Sequence, residues 1–316
     1  MSSAKAAAFI ALMFALGTAL DRTSQAVLQE LPMPWVVATL HFGGGMLWIF
    51  PAWTIGMRQT PRLSDTQKKR VAPLAFLHAA GHLCTLGVLR GGSLAVTQVF
   101  QAAEPIVVSV LSWVLVGNGQ QHFVAWLALL LLTAGVLVTF REGMTAGSPV
   151  ANLVAACAAS LSSARTTFSD QVVLEEAVAL KGQLCSMVFV SGTLVLIPFA
   201  IVMEGAELSE QWDRAAESIG SSSALIVKLI QGGTLLYMWS ECLLLSSVEE
   251  WGNNLCPTAA VTALLRPMLL HSGRAFLGGG WATSGLAGTC LTALGSGLFA
   301  YACHRFVLKP PRTKQQ

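Results

Sequence analysis

The sequence predicts an all-α integral membrane protein with ten transmembrane helices, arranged as two inverted five-helix repeats. Three observations lead there: the scarcity of charge, the spacing of the apolar stretches, and the uneven placement of Lys and Arg between them. The 316 residues are 54% hydrophobic and 11% charged, against about 25% charged in ordinary soluble domains. The length alone would allow two soluble domains, but the hydropathy overrides that prior. The net charge of +3 is small. No basic block with interleaved aromatics appears, so nucleic acid is not an expected partner.

The apolar stretches run 5–22, 33–57, 71–90, 93–116, 122–140, 149–168, 181–203, 222–246, 255–273 and 280–306, each near the ~20 residues that a helix needs to span a bilayer. The first, in "MSSAKAAAFIALMFALGTALD", imitates a signal peptide but is read as a retained span. No Ser/Arg-rich transit extension precedes it, so import into plastids or mitochondria is not the expectation from this segment. The second opens on "LPMPW" and ends at the long polar join "RQTPRLSDTQKKR". The third and fourth carry most of the intramembrane polar residues, and the fourth holds Glu104 before Pro105. The fifth is almost uninterrupted Leu, Ala and Val. Polar joins at 169–180 and 204–221 separate the sixth, seventh and eighth, and the ninth encloses Arg266.

With ten spans both termini share one side. That side holds Lys5, Arg58, Arg62, Lys68, Lys69, Arg70, Arg165, Lys181, Arg305, Lys309, Arg312 and Lys314. The other side holds Arg22, Arg90, Arg141, Arg214 and Arg274. The positive-inside rule then puts both termini in the cytosol. The halves are expected at 5–146 and 149–307, followed by a cytosolic tail at 308–316. An odd number of spans per half means a duplicated half inserts upside down, as in many secondary transporters. The fourth span contains "AVTQVFQAAEP" and the ninth "AVTALLRP". Aligning the two AVT triplets sets Thr97 on Thr262 and Gln101 on Arg266. Both lie in the penultimate helix of their half.

His78, His82 and Thr85 share one face of the third span, at i, i+4 and i+7. Thr97, Gln101 and Glu104 repeat that spacing in the fourth. The eighth has Gln231, Thr234 and Glu241 near one face, with Lys228 and Tyr237 close by, and the ninth has Thr262 and Arg266. Stripes on four helices predict a wet cavity near the midplane. Plainer readings stand beside this one. Thr85, Thr97 and Thr262 can bond their own backbone, Glu104 can pair with a cation, and Lys228 can snorkel to the interface. His78 and His82 have the spacing of a metal pair, but no H-E-x-x-H and no third ligand accompany them. The seven cysteines form no C-x-x-C pair and read as buried small hydrophobes. Arg266, deep in its span and followed by Pro267, costs ~2.5–3.5 kcal/mol on insertion scales. Its guanidinium suits a phosphate or carboxylate gripped through two parallel hydrogen bonds.

"LPMPWVVATLHFGGGMLWIFPAWTIGM" resembles the second helix of the plastid phosphate translocators, the triose-phosphate translocator family of the drug/metabolite transporter superfamily. "LHAAGHLCTLGVLRGGSLAVTQVFQAAEPIVVSVLSWVLVG" resembles their third and fourth helices, and "LIPFAIVMEG" and "CPTAAVTALLRP" resemble later landmarks. The resemblance is strongest over 33–117, fair at 150–204, and weak around 240–256. It implies a ten-helix inverted repeat that exchanges phosphorylated three- to six-carbon metabolites for phosphate. The family's cavity histidine falls on His82 and the threonine three residues later on Thr85. Its fourth-helix lysine falls on Gln101, and its ninth-helix Lys-Arg pair on Arg266 and Pro267. Two of three cationic positions are therefore neutral here, which suits a less charged substrate than a phosphate dianion.

The expected function is antiport of a small anionic, phosphorylated sugar-type metabolite against a counter-substrate such as phosphate, by alternating access. Substrate would meet His82, Thr85, Thr97, Gln101 and Arg266, with Lys228, Glu241, Glu104 and Thr262 as secondary candidates. No cofactor, metal or enzymatic step is expected. The membrane would be endomembrane (Golgi or ER) or plastid envelope. The competing readings are a nucleotide-sugar transporter, an intramembrane metalloenzyme on His78, His82 and Glu104, and a transport-dead scaffold.

Overall fold

The computed structural model describes residues 3–61, 64–91, 94–111, 113–114, 123–139, 148–175, 181–246 and 283–302. Within them the long elements are α1 (Ser3–Glu30), α2 (Pro34–Thr54), α3 (Asp65–Arg90), α4 (Leu94–Leu111), α5 (Phe123–Thr139), α6 (Pro149–Glu175), α7 (Lys181–Glu204), α8 (Leu208–Ile219), α9 (Ser222–Ser246) and α10 (Thr283–Ala302). Nine of the ten apolar stretches coincide with these helices. The stretch at 255–273 lies outside the described residues.

Local chemistry sets several boundaries. Pro34 opens α2 at a position where a missing N–H costs nothing. Ser64 and Gln67 cap α3 reciprocally. α8 is the helix that hydropathy passed over, inside the 204–221 join. Leu208, Trp212 and Ile219 fall on one face and pack against the main core, while Glu210, Asp213 and Glu217 are exposed. Gly220, at φ +101°, ends it in the left-handed region, and α9 leaves at 97°. Pro34–Thr54, Gln67–Arg90 and Gln183–Glu204 are long and apolar enough to cross a bilayer. Leu153, Leu194, Ile201, Val202 and Leu294 lie on the outside of the bundle, the pattern of helices solvated by lipid rather than water.

The core is centred on α2, which packs on α7 and α9. Phe42 lies over Gly192 and Phe189 over Gly45, so that a Cβ on either glycine would meet a ring carbon within 2.7 Å. Trp35 stacks on Phe199, and α2 and α7 therefore run antiparallel. The same F-x-x-G pattern occurs in both helices. α2 and α9 run parallel and nearly touch at Gly44 and Gly233, where a Cβ on Gly233 would sit 2.8 Å from the Gly44 α-carbon. Small residues let backbones approach where lipid supplies no hydrophobic drive. α5 and α10 use Gly135, Gly288 and Gly295 in the same way.

These contacts make opposite predictions for neighbouring glycines. Gly43 has open space at its Cβ position, so Gly43→Ala gains helix propensity, about 0.5–1 kcal/mol. Gly233→Ala forces α2 and α9 apart and loses about 1–3 kcal/mol. Thermal melting in detergent should rise for the first and fall for the second.

Candidate functional site

Parts of the polar stripes of α3 and α9 meet in a cluster to which α2, α6 and α7 also contribute. Its centre is Arg165 of α6, which is 9% exposed. Its guanidinium Nη1 lies 2.9 Å from His78 Nδ1 and its Cζ 5.5 Å from the Trp239 ring. The Glu104 carboxylate on α4 is close enough to act on it through charge. An arginine only donates, so His78 Nδ1 accepts. The remaining His78 proton is then on Nε2, 3.2 Å from Ser240 Oγ, and His78 is neutral. Phe42 and Phe189 pack edge-on against its ring at 5.2 and 5.7 Å.

Sequence reasoning counted Arg165 among the charges of the cytosolic side, although it lies inside the 149–168 stretch. The structure corrects this, because Arg165 is buried within α6, which continues past it to Glu175. The segment "SLSSARTTFSD" looks too polar to stay in a membrane. Ser160, Ser163, Thr166 and Thr167 each donate to the carbonyl four residues back in their own helix, which hides their polarity. With Arg165 removed from the larger group, the asymmetry of the remaining charges stands.

A second arm lies one turn along α9. Arg58, also counted as a loop charge, folds back from the segment after α2. Its guanidinium donates to Glu241 Oε1 at 2.5 Å, to Oε2 at 3.2 Å and to Tyr237 Oη at 2.9 Å. Glu241 is 8% exposed. Its hydrogen bond is the largest reason that Arg58 holds its proton more firmly than a free arginine, against an opposing cost of burial. The Tyr237 ring stands edge-on to Phe189 at 5.4 Å, so this arm reaches the aromatic centre.

Other predicted residues have mixed placements. His82 is partly exposed and faces His41, with His41 Nδ1 and His82 Nε2 3.1 Å apart. Thr85 bonds the Gly81 carbonyl of its own helix. Thr97 is buried, and Gln101 and Glu104 are half-buried on α4. The Glu104 carbonyl accepts from Ser163 Oγ of α6 at 3.3 Å. Lys228 is half-buried in the second turn of α9. The stripe on that helix divides: Tyr237, Ser240 and Glu241 belong to the cluster, whereas Gln231 is exposed and Thr234 accepts the Trp48 indole N–H. Arg266 and Thr262 lie outside the described residues. Among the described residues, no three His, Cys, Asp or Glu side chains gather as metal ligands.

Sequence reasoning missed Arg165, His41, Ser240 and Arg58. The i, i+4 relation of Tyr237 and Glu241 was visible, but its partner was not. The "LHF" of the second span offered a signal for His41, since a histidine inside a glycine-rich apolar helix needs a polar neighbour.

Known proteins resemble this chain along most of its length. The family model for the Triose-phosphate Transporter family matches residues 4–250. The glucose-6-phosphate/phosphate translocator 1, chloroplastic, of Arabidopsis thaliana is 23% identical over 67% of this chain and 54% of its own. The phosphoenolpyruvate/phosphate translocator 2, chloroplastic, of the same plant is 26% identical over 62% and 51%. The chain thus spans about half the length of these curated relatives. A solved chain described as "Crystal structure of protein" shares the fold, with a TM-score of 0.52 at 14% identity over 93% of this chain and 99% of that one. The apolar helices and the family match together identify the chain as a multi-pass membrane protein that belongs to the triose-phosphate transporter family.

Proposed function

We propose that the protein is an antiporter that exchanges a small phosphorylated, sugar-type metabolite for inorganic phosphate by alternating access. The observation that carries this reading is the buried Arg165 between the halves. A guanidinium removed from water and held by neutral His78 is a pre-positioned anion site. The names of the relatives, all phosphate translocators, agree with a phosphorylated substrate. Arg165 also revises the charge balance. It supplies a cation although Gln101 and Pro267 replace the family's lysine and arginine. Arg266 would be its counterpart from the ninth span, with His82, Thr85, Thr97 and Gln101 orienting the rest of the substrate.

The proposed frame is ten spans in two inverted halves, 5–146 and 149–307, with both termini and the 308–316 tail cytosolic. Helix packing supports it. Exchanging each helix for its counterpart in the other half leaves the contacts consistent: α2 with α7 and α5 with α10 map onto themselves. The α3–α6 contact maps onto α9–α1, and α2–α9 onto α7–α3. The reciprocal F-x-x-G pairs of α2 and α7 fit the same two-fold relation. α9 runs parallel to α2 and α10 antiparallel to α5, so an odd number of crossings separates α9 from α10. The apolar stretch 255–273 would supply one. The membrane would be a plastid envelope, as the relatives' names suggest, or an endomembrane.

The test is counterflow in liposomes with phosphate, triose and hexose phosphates, phosphoenolpyruvate and nucleotide sugars. Phosphate-linked exchange of a phosphorylated metabolite is expected, and Arg266→Ala should abolish it at unchanged protein level. Exchange confined to nucleotide sugars, or normal exchange by Arg266→Ala, would overturn the substrate class or the role of Arg266 respectively.

A further inference from the structure

We propose that His41 is a positioning residue that locks His82 as a neutral imidazole protonated on Nδ1, so that His82 meets substrate as an uncharged hydrogen-bond donor. This rests on the reading of His82 as a substrate contact and adds its protonation form. His41 is fully buried on α2. Its Nδ1 faces His82 Nε2 at 3.1 Å. Its other nitrogen, Nε2, has no hydrogen-bond partner. The α-carbon of Gly232 presses on that edge, so closely that a Cβ there would fall on the ring.

The tautomer follows from this asymmetry. One nitrogen of a neutral imidazole donates and the other accepts. Were the His41 proton on Nε2, a buried N–H would point at a methylene with no acceptor, which is the costlier defect. With the proton on Nδ1, His41 donates to His82, and its Nε2 lone pair meets only the weakly donating Gly232 Cα–H. His82 Nε2 must then accept. Its own proton is on Nδ1, and a second proton on Nε2 would require the His41 proton to move to the partnerless His41 Nε2 or the ring to turn. Phe42, 6.0 Å from the His82 ring and 5.2 Å from His78, packs against both imidazoles and holds the pair in register.

The consequence concerns charge. His78 is held neutral by Arg165 and His82 by His41, so the cations of the described cluster are the arginines. Substrate then gains a directional hydrogen bond from His82 without an added charge, which fits a carrier with fewer cations than its relatives' pattern.

The tautomer can be read directly by 15N magnetic resonance of histidine-labelled protein in lipid, with His82→Gln used to assign the signal. Wild type should show a pyrrole-type Nδ1 and a pyridine-type Nε2 for residue 82. His41→Asn places an amide N–H where Nδ1–H was and should keep that pattern. His41→Leu should lose it, and should raise the KM for inorganic phosphate in homo-exchange about tenfold, the worth of one hydrogen bond, with the maximal rate little changed. A wild-type His82 protonated on Nε2, or on both nitrogens, overturns the proposal. So does an unaltered His82 signal in a folded His41→Leu protein. The tautomer is read without substrate. A wild-type carrier that exchanges no phosphate would therefore overturn the substrate reading, while the spectrum still decides this one.

Discussion

Arg165→Ala is expected to lower exchange to below about 1% of wild type, because a buried cation proposed to meet the substrate anion is lost, an interaction worth about 3 kcal/mol or more. Three things are lost together. His78 Nδ1 loses its donor, the Trp239 ring loses its cation, and Glu104 on α4 loses its opposing charge. Arg165→Lys keeps the charge but not the planar fork that bonds His78 and an oxyanion at once, so a small fraction of exchange should survive.

A loss of activity alone does not separate substrate binding from structural pairing. The double variant Arg165→Met/Glu104→Gln does. It removes the charge of the Glu104 carboxylate along with the guanidinium, and should restore part of the thermal stability that Arg165→Ala loses. Exchange should stay absent, because no cation then meets the substrate phosphate on α6. If the double variant transports normally, Arg165 is a counter-ion for Glu104 and the anion site must be sought elsewhere.

The helices were legible because lipid imposes a simple rule: every backbone group must be paired within its own segment, so apolar runs of span length become helices. α8 was illegible to that rule, since it draws its stability from an apolar face against the core and its outer face is polar. The third-span stripe led to His78 and His82, and both take part in the cluster. Arg165 was misassigned because it sits near the end of the 149–168 stretch and was counted with the charges of that side, whereas α6 runs on past it with Ser160, Ser163, Thr166 and Thr167 satisfied inside the helix. Pairing between distant segments leaves no periodic trace. His41 and His82 are 41 residues apart, and Arg58 and Glu241 are 183. The proposed repeat was sought through AVT in the fourth and ninth spans, while the reciprocal F-x-x-G contacts of α2 and α7 became visible only when the two helices were seen to grip each other.

The Arg58–Glu241 pair carries the other large expectation. It ties the segment after α2, in the proposed first half, to α9 in the proposed second. Rocking of two halves around a central site requires such a tether to open in one part of the cycle. Glu241 is almost buried and Arg58 is 37% exposed, so opening returns the arginine to water more readily than the carboxylate. Arg58→Ala leaves Glu241 with Tyr237 and Cys185 as neutral hydrogen-bond partners, and Arg58→Glu adds repulsion. Exchange should fall about tenfold for the first, less than for truncating a fully buried charge pair at about 2–5 kcal/mol because Arg58 is 37% exposed, and about a hundredfold for the second. The charge swap Arg58→Glu/Glu241→Arg should recover much of the loss, because the pair reforms with the same two backbones. Accessibility separates a tether from a fold defect. A cysteine placed at Ser240, beside Glu241 and in contact with His78, should react faster with a membrane-impermeant thiol reagent in the Arg58→Ala background, added from the side of the α2–α3 segment. Unchanged labelling together with full exchange by Arg58→Ala would mean that the pair is a surface contact and that the halves separate elsewhere.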